Sequence, residues 1–193
     1  MAWVGFSVEI GPEGGVYVLD WHDQNICGNE VKFPNSGRIY RVMPTGVKDT
    51  VTPDLSAMSD IELVEYQLHS NDWFVRHART LLQYRQASGT LNRKVVHQKL
   101  NDILNTTSEP SKRLRALWAL YVTDGLTETR LYELLNDADE HVRAWSIQFL
   151  CDMSESNAFQ PERNADWALE PDILERLAAM AKNDPSQVVR LYL

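Results

Sequence analysis

The sequence predicts a mainly α-helical protein: an array of helix pairs, called an α-solenoid, preceded by a small antiparallel β segment. Three observations predict this fold. An apolar-Arg pair preceded by polar residues recurs four times in the C-terminal part, and the apolar residues around each arginine follow one face of a helix. Segments within residues 1–44 instead alternate apolar and polar side chains, which is the period of a strand. The composition, with 44% hydrophobic and 24% charged residues, is typical of a folded globular protein.

The predicted β segment covers residues 1–44. A glycine-rich turn at residues 11–15 joins the first two strands into a hairpin, and a polar loop at 20–37 precedes the third strand. Three strands with so few apolar residues are marginally stable alone, so this sheet is expected to belong to a larger β structure such as a β-propeller. The strands are predicted over residues 6–10, 16–19 and 38–42.

Residues 45–58 are predicted as a polar linker, and residues 59–193 as about four helix pairs, the last one truncated. Ser59 followed by Glu62 forms a capping box that begins the first helix. The first helix of each pair carries its own apolar stripe, and the second helix carries one of the recurring arginines. The first helices have the predicted stripes Ile61, Val64 and Leu68; Val96, Leu100 and Ile103; Leu131, Leu134 and Leu135; and Ile173, Leu174, Leu177 and Met180. The second helices have the stripes Val75, Ala78 and Leu82; Leu114, Leu117 and Tyr121; Val142, Trp145 and Phe149; and Val189 and Tyr192.

A polar stretch at residues 152–168 separates the third helix pair from the fourth. The fourth pair stops without the polar capping repeat that such arrays need for solubility. We therefore expect the chain to be a piece of a longer protein.

The charge and composition narrow the classes of partner. A net charge of −8 and a pI near 5.1 offer no positive surface to nucleic acid or anionic lipid. No segment resembles a signal peptide or approaches the ~20 apolar residues of a membrane-spanning helix. The expected partner is therefore a protein or another domain of the same polypeptide. Cys27 and Cys151 form no CxxC motif, so a disulfide between them stays open and they indicate no compartment.

Two stretches of the chain carry a resemblance to a known family. Residues 11–21, GPEGGVYVLDW, followed by residues 37–42, GRIYRV, resemble the last blade of glucose/sorbosone-dehydrogenase-like β-propellers. This segment, followed by Asp54-Leu55 and by residues 72–82, DWFVRHARTLL, is similar to the bacterial membrane-bound dehydrogenases, in which HEAT-type helical repeats follow the propeller. The resemblance covers nearly the whole chain and implies a HEAT-like, armadillo-like helical array after a terminal propeller blade.

The resemblance implies a sugar dehydrogenase that uses pyrroloquinoline quinone (PQQ) and passes electrons to a c-type cytochrome domain. It also implies an extracytoplasmic, periplasmic location, whereas the sequence by itself indicates no compartment. This chain holds a single blade and lacks the CxxCH motif that attaches haem c. PQQ and haem c are therefore expected only in a full-length parent. No catalytic residue and no metal ligand is assigned to this chain, and its cofactor-binding residues are unknown.

The polar group just beyond the second strand is the first candidate for a functional site. Two carboxylates and an imidazole at a strand end could take a proton or bind a cation, and the alternative is a solvated turn. The residues are Asp20, Trp21, His22 and Asp23.

The recurring arginines are the second candidate. They either form an anion-binding ladder or, as their regular placement and the surplus of acids favour, pair with carboxylates and helix-end carbonyls of neighbouring repeats. The residues are Arg76, Arg115, Arg143 and Arg190.

Aromatic residues in the helical part are the third candidate. They could form a stacking platform for a sugar or quinone, but their helical spacing favours packing between repeats. These residues are Trp73, Phe74, Trp118, Trp145 and Trp167. The histidines of the same part share no HxxxH or HxH spacing, which argues against a metal site. These are His69, His77, His97 and His141.

Two functions are predicted as alternatives. In the first, the chain is a fragment of a quinone-dependent sugar-dehydrogenase-like oxidoreductase, in which it acts as a structural, positioning solenoid and is not itself catalytic. In the second, it is a non-catalytic protein-interaction scaffold with HEAT repeats and a concave binding surface. The two differ in cofactor, because only a parent of the first kind binds PQQ.

Overall fold

The computed structural model describes residues 5–21, 35–46, 52–154 and 169–193. It confirms a mainly helical chain with a small three-stranded antiparallel sheet. The strands are β1 (Gly5–Ile10), β2 (Val16–Asp20) and β3 (Arg38–Val42). The helices of the described residues are α1 (Asp60–Glu65), α2 (Asp72–Ala87), α3 (Arg93–Thr106), α4 (Pro110–Val122), α5 (Glu128–Leu134), α6 (Glu140–Ser154), α7 (Pro171–Asn183) and α8 (Gln187–Leu191). Short 3-10 turns, Leu55–Ala57 and Tyr66–Leu68, lie before and after α1.

The sheet has β2 at its centre, with β1 and β3 paired antiparallel on either side. The Gly11 N–H donates to the Gly15 carbonyl at 2.8 Å and closes the turn of the β1–β2 hairpin. Gly14 adopts a φ of +82°, a left-handed conformation that favours glycine. Residues paired across antiparallel strands project to the same side, so one face of this sheet carries six apolar residues, with Asp20 and Arg38 at its end. This apolar sheet face consists of Val8, Ile10, Val16, Val18, Tyr40 and Val42.

The helices pack in consecutive pairs. α1 packs on α2, α3 on α4, α5 on α6, and α7 on α8. The second helices of the pairs also contact one another in order, α2 with α4, α4 with α6 and α6 with α8, and α1 contacts α3. Each pair therefore rests on the next pair along the chain.

One continuous hydrophobic core runs through the helical pairs, from Leu55 to Val189. The predicted stripes of α3 and α5 are buried, as are all three predicted residues of α2. Leu55 lies in the segment predicted as a linker, yet it is only 6% exposed and belongs to this core. The helical core therefore includes a residue upstream of the predicted start at Ser59.

The prediction that Leu68 is buried was wrong. The residue is 38% exposed, because α1 ends at Glu65 and residues 66–68 continue as a 3-10 turn with ~3 residues per turn. The tighter winding brings Gln67 into the core instead, where its side-chain amide donates to the Val75 carbonyl at 3.3 Å. Leu63, which was not in the predicted stripe, is fully buried beside Val64.

Two predictions near the end of the chain were also wrong. Leu174 is 58% exposed because it lies about 100° around α7 from the buried Ile173, outside the stripe that Ile173 shares with Leu177 and Met180. Tyr192 is 38% exposed and lies beyond the end of α8 at Leu191. The sequence pattern therefore placed these two residues in a buried stripe to which they do not belong.

The first helix begins at the capping box that the sequence predicted. The capping box is confirmed: Ser59 accepts from the Glu62 N–H, and Glu62 accepts from the Ser59 N–H at 2.8 Å. The predicted break at residues 152–168 lies mostly outside the described residues, and α6 itself continues to Ser154. In the described segments, no helix combines the length and apolar composition needed to cross a membrane.

Candidate functional site

The sheet is attached to the helices at the start of α2. Asn71 precedes this helix, and its side-chain oxygen accepts from the Trp73 N–H at 2.9 Å as an N-cap. The side-chain nitrogen of the same residue donates to the carbonyls of Gly11 and Pro12, at 2.9 and 3.1 Å. One amide side chain therefore both begins α2 and holds the hairpin turn of the sheet.

A cleft of about 550 Å³ lies between this hairpin and α2. The indole of Trp73 and the imidazole of His77 stack in it, with ring centres 3.8 Å apart. Tyr17 lies on the hairpin side and donates from its hydroxyl to Glu13 at 2.6 Å. A β-carbon at Gly11 would lie 2.5 Å from the Tyr17 ring, so this position accepts only glycine without a rearrangement.

The rim of the cleft is charged. Arg76 contacts Glu9 at 3.4 Å and Asp72 at 3.2 Å, and these side chains are about half exposed, so each contact adds little to stability. The arrangement suits a ligand that stacks on aromatic rings and presents polar groups at its edge.

The recurring arginines make structural contacts, as their surplus of acidic neighbours predicted. Arg143 forms a two-pronged pair with Asp184, with both N–O distances at 3.0 Å, and also donates to the Asp137 carbonyl at 2.8 Å. Arg115 donates to the His69 carbonyl at 3.0 Å and to Asp72 at 3.2 Å. Arg190 donates to the carbonyl of Asp184 at 2.6 Å. Arg115 and Arg143 therefore bind carboxylates of a neighbouring helix pair, and Arg190 binds a helix-end carbonyl of its own pair.

A fourth contact of this kind was missed by the sequence analysis. Arg113 of α4 binds Asp137 with both guanidinium nitrogens, at 2.9 and 2.6 Å. Burial acts to raise the pKa of Asp137, but hydrogen bonds from Arg113 and the Asp139 N–H outweigh it and lower that pKa overall. The same hydrogen bond raises the pKa of Arg113. Arg113 lies two residues before the recurring arginine of its helix, so the repeat pattern did not single it out.

Arg79 differs from the other arginines of α2 and α4. Its guanidinium carbon lies 5.2 Å from the centre of the Trp118 ring, a cation–π arrangement between α2 and α4. Its Nη1 atom is buried and finds no hydrogen-bond partner in the described part of the chain. The indole nitrogen of Trp118 is likewise buried without a partner there. Burial, together with the charges of Arg115 and Arg76, lowers the pKa of Arg79, while Asp72 opposes this effect.

The aromatic residues of the helical part pack between helix pairs, as their spacing favoured. Trp118 of α4 meets Trp145 of α6 edge to face, with ring centres 5.1 Å apart, and Tyr121 stacks on Phe149 at 4.0 Å. Trp145 also approaches Tyr192, at 6.3 Å. Phe74 is buried in the core, Trp73 lies against it and lines the cleft, and Trp167 lies outside the described residues.

The histidines do not converge. His69 accepts from the Asn71 N–H at 2.9 Å, His77 stacks on Trp73, His97 contacts the Thr123 carbonyl at 3.0 Å, and His141 is exposed. Across residues 5–21, 35–46, 52–154 and 169–193, no group of His, Cys, Asp and Glu side chains is arranged to hold a metal ion.

The predicted polar group after β2 is only partly described. Asp20 is buried at the end of the strand, with 4% of its surface exposed, and Trp21 follows it with 47% exposed. His22 and Asp23 lie outside the described residues, as does Cys27. Cys151 lies in α6 and is partly buried.

No family model, curated protein or solved structure matches the chain.

Proposed function

We propose that this chain is a positioning module: a HEAT-like α-solenoid that holds a propeller blade in a fixed place within an oxidoreductase resembling quinone-dependent sugar dehydrogenases. The observation that carries the proposal is a series of guanidinium–carboxylate contacts between successive helix pairs. Each contact joins one pair to the next. The series consists of Arg115 with Asp72, Arg113 with Asp137, and Arg143 with Asp184.

These contacts support a positional role because they resist sliding between helix pairs. A planar guanidinium that donates two parallel hydrogen bonds to a carboxylate fixes both the distance and the orientation between the two helix pairs, which a hydrophobic contact alone does not. In the two bidentate pairs, Arg113–Asp137 and Arg143–Asp184, all four side chains are at most 16% exposed, so water competes weakly for their hydrogen bonds. In an array whose successive pairs are held in this way, the first and last helix pairs keep a fixed position relative to each other.

The apolar sheet face supports the interpretation of the β segment as a propeller blade. Val8 and Val42 are 65% and 58% exposed on it, and Ile10 and Tyr40 are 44% and 41% exposed. An apolar face of this extent on so small a sheet is what a neighbouring blade covers in a propeller, whose blades pack face to face. The opposite face bears Glu9, Tyr17 and Ile39, and residues of both faces border α2 at the hairpin end of the sheet.

In this proposal the chemistry belongs to other parts of the parent protein. PQQ would be bound by the propeller and haem c by a cytochrome domain, in the periplasm, and the solenoid would set the distance between them. The second candidate is a non-catalytic interaction scaffold, and the open cleft beside Trp73 and His77 favours it, because that cleft offers aromatic and charged groups to a partner.

The positional role is tested by spin-label distances between the sheet and the array. Labels are placed at exposed Thr45 and Gln98 through Thr45→Cys and Gln98→Cys, in a chain carrying Cys27→Ser and Cys151→Ser. One narrow distance distribution is expected. Asn71→Asp should broaden it, because the carboxylate keeps the helix cap but cannot donate to Gly11 and Pro12.

The control for this experiment is Asn105→Asp, an equal charge change on the exposed surface of α3. It should leave the distribution narrow. A broad distance distribution in the labelled chain that keeps Asn71 would show that the sheet is not held in place, and the positional role would be abandoned.

The dehydrogenase part is tested separately, on the protein at its natural length. We expect PQQ binding and sugar-dependent reduction of an artificial electron acceptor. If both are absent while the spin labels show a fixed sheet, the interaction scaffold becomes the better proposal.

A further inference from the structure

Two buried hydrogen-bond donors lie next to each other between α2 and α4 without an acceptor. They are Nη1 of Arg79 and the indole nitrogen of Trp118, neither of which has a hydrogen-bond partner in the described part of the chain. Buried polar atoms are nearly always paired, because an unpaired donor loses its hydrogen bonds to water and gains none in return. Both atoms are donors, so what the site lacks is an acceptor.

The charges around this pair favour an anionic acceptor. Arg76 and Arg115 lie close enough to Arg79 to lower its pKa. Asp72 is the carboxylate that two of them share, at 3.2 Å from Arg76 and 3.2 Å from Arg115. Glu9 reaches only Arg76, at 3.4 Å. Arg79 thus lies near two other cations and the one carboxylate that those cations share, on a protein whose net charge is −8.

We propose that the surface formed by Arg76, Arg79, Arg115 and Trp118, the Arg79 site, binds a carboxylate on a short acidic segment of a partner protein. Arg79 and Trp118 are only partly buried as whole residues, so the site borders solvent. The long Arg79 side chain lies over the indole, and turning it towards a carboxylate uncovers the Trp118 N–H. Both donors then share an acceptor, which neither of them finds among the described residues.

The size and charge of the site select a short acidic segment over a long polyanion. The excess of positive charge is confined to three guanidiniums, and the protein as a whole repels extended negative chains such as nucleic acid. The planar guanidinium fork matches the two oxygens of a carboxylate. This inference does not depend on the proposed dehydrogenase parent, because it uses only residues of α2 and α4.

The test is a titration of the complete chain with a short synthetic peptide rich in glutamate, followed by ¹H–¹⁵N correlation spectra. The six tryptophans give six indole signals, and the Trp118 signal is assigned by its loss in Trp118→Phe. We expect the Trp118 indole proton to shift as the peptide is added, and the affinity to fall as salt is raised. The same peptide with glutamine in place of glutamate should not bind.

Variants of the site give the second readout. Arg79→Gln should weaken peptide binding by about tenfold or more, because a hydrogen bond to a charged group is lost. Arg76→Gln changes a more exposed cation and should weaken binding by about threefold. The matched control is Arg93→Gln, an equal charge change on the exposed surface of α3, which should bind as the unmodified chain does.

Several results would overturn the proposal. One is a Trp118 signal that stays in place at saturating peptide, and another is equal affinity in Arg79→Gln and Arg93→Gln. Tighter binding of an oligothymidylate than of the glutamate peptide would assign the site to nucleic acid instead. If Arg79→Gln does not fold, the Trp118 shift and the Arg76→Gln comparison decide the question.

Discussion

At the scale of single residues, the arginines of this chain differ in what their guanidinium meets. Arg113 and Arg143 each bind an aspartate with two nitrogens, and the aspartates belong to the following helix pair. Arg79 lies over an indole ring, and the charges near it are those of Asp72, Arg115 and Arg76. Packing between helix pairs explains the positions of Arg113 and Arg143. It does not explain Arg79, whose buried Nη1 atom has no acceptor among the described residues.

The Arg143–Asp184 pair should make stability depend on pH. Hydrogen bonds from Arg143 lower the pKa of Asp184 in the folded chain, so this pair stabilises the fold fully above the unfolded pKa of ~3.8 and loses its effect as the pH falls through the folded pKa. We expect Asp184→Asn to cost about 2 kcal/mol of unfolding free energy at pH 7. The cost should shrink on acidification below about pH 4, measured by urea unfolding at each pH.

The matched control for that prediction is Asp102→Asn, an equal change at an exposed position of α3. It should have little effect on unfolding at any pH, since surface substitutions usually change stability by less than about 0.5 kcal/mol. If both variants lose the same free energy at pH 7, the Arg143–Asp184 pair does not hold the third and fourth helix pairs together.

Arg79 also shows where the sequence could not predict the site. The recurring pattern pointed to Arg76, three residues earlier, because only that position repeats in the other second helices. Whether a guanidinium finds a carboxylate depends on which residues the neighbouring helix pair brings to it, and that information is not local. The missing acceptor of Trp118 is a property of packing between α2 and α4 and leaves no mark in the sequence.

At the scale of elements, the sequence predicted the three strands to within one residue at each end and located the helices by their apolar stripes, because the apolar period and the caps are local signals. The capping box at Ser59 and the hairpin turn at residues 11–15 are both present. The error at Leu68 has a physical cause: the 3-10 turn after α1 changes the angle between successive side chains, so Gln67 takes the buried place. An apolar pattern that assumes the ~3.6 residues per turn of an α-helix does not detect a switch to a 3-10 turn.

The buried stripe of α3 can be tested at two neighbouring positions. Val96 is fully buried, whereas Val95 is 41% exposed one residue earlier on the same helix. Val96→Asp should lose about 3 to 5 kcal/mol of unfolding free energy, because it places an unpaired charge in the core. Val95→Asp makes the same chemical change at the surface and should melt nearly as the unmodified chain does, as followed by circular dichroism.

That pair of variants separates burial from helix propensity. Both replace a β-branched residue by aspartate within the first turns of α3, so any loss of helix preference is common to them. Equal losses in the two variants would contradict the assigned stripe and would place Val96 at the surface.

At the scale of the whole molecule, the two parts of the chain are stabilised differently. The helical pairs share one continuous core, whereas the sheet has an exposed apolar face and is tied to α2 through Asn71. Within the described residues, the outer strands β1 and β3 each pair on one side only. The stability of the sheet should therefore be lower than that of the helices, and it should depend on the contact at Asn71.

Hydrogen exchange measures this difference directly. Amides of α3, α4 and α6 should exchange slowly, at rates set by unfolding of the whole core, and those of β1 and β3 should exchange much faster. Asn71→Asp removes the two bonds to the hairpin turn, so exchange in residues 11–17 should rise by about tenfold while α4 stays unchanged. If the amides of Val8 to Val18 were as well protected as those of α4, the expected difference in stability would be contradicted. A sheet held by so few contacts reaches the stability of the core only if its apolar face is covered in solution, for example by a second copy of the chain.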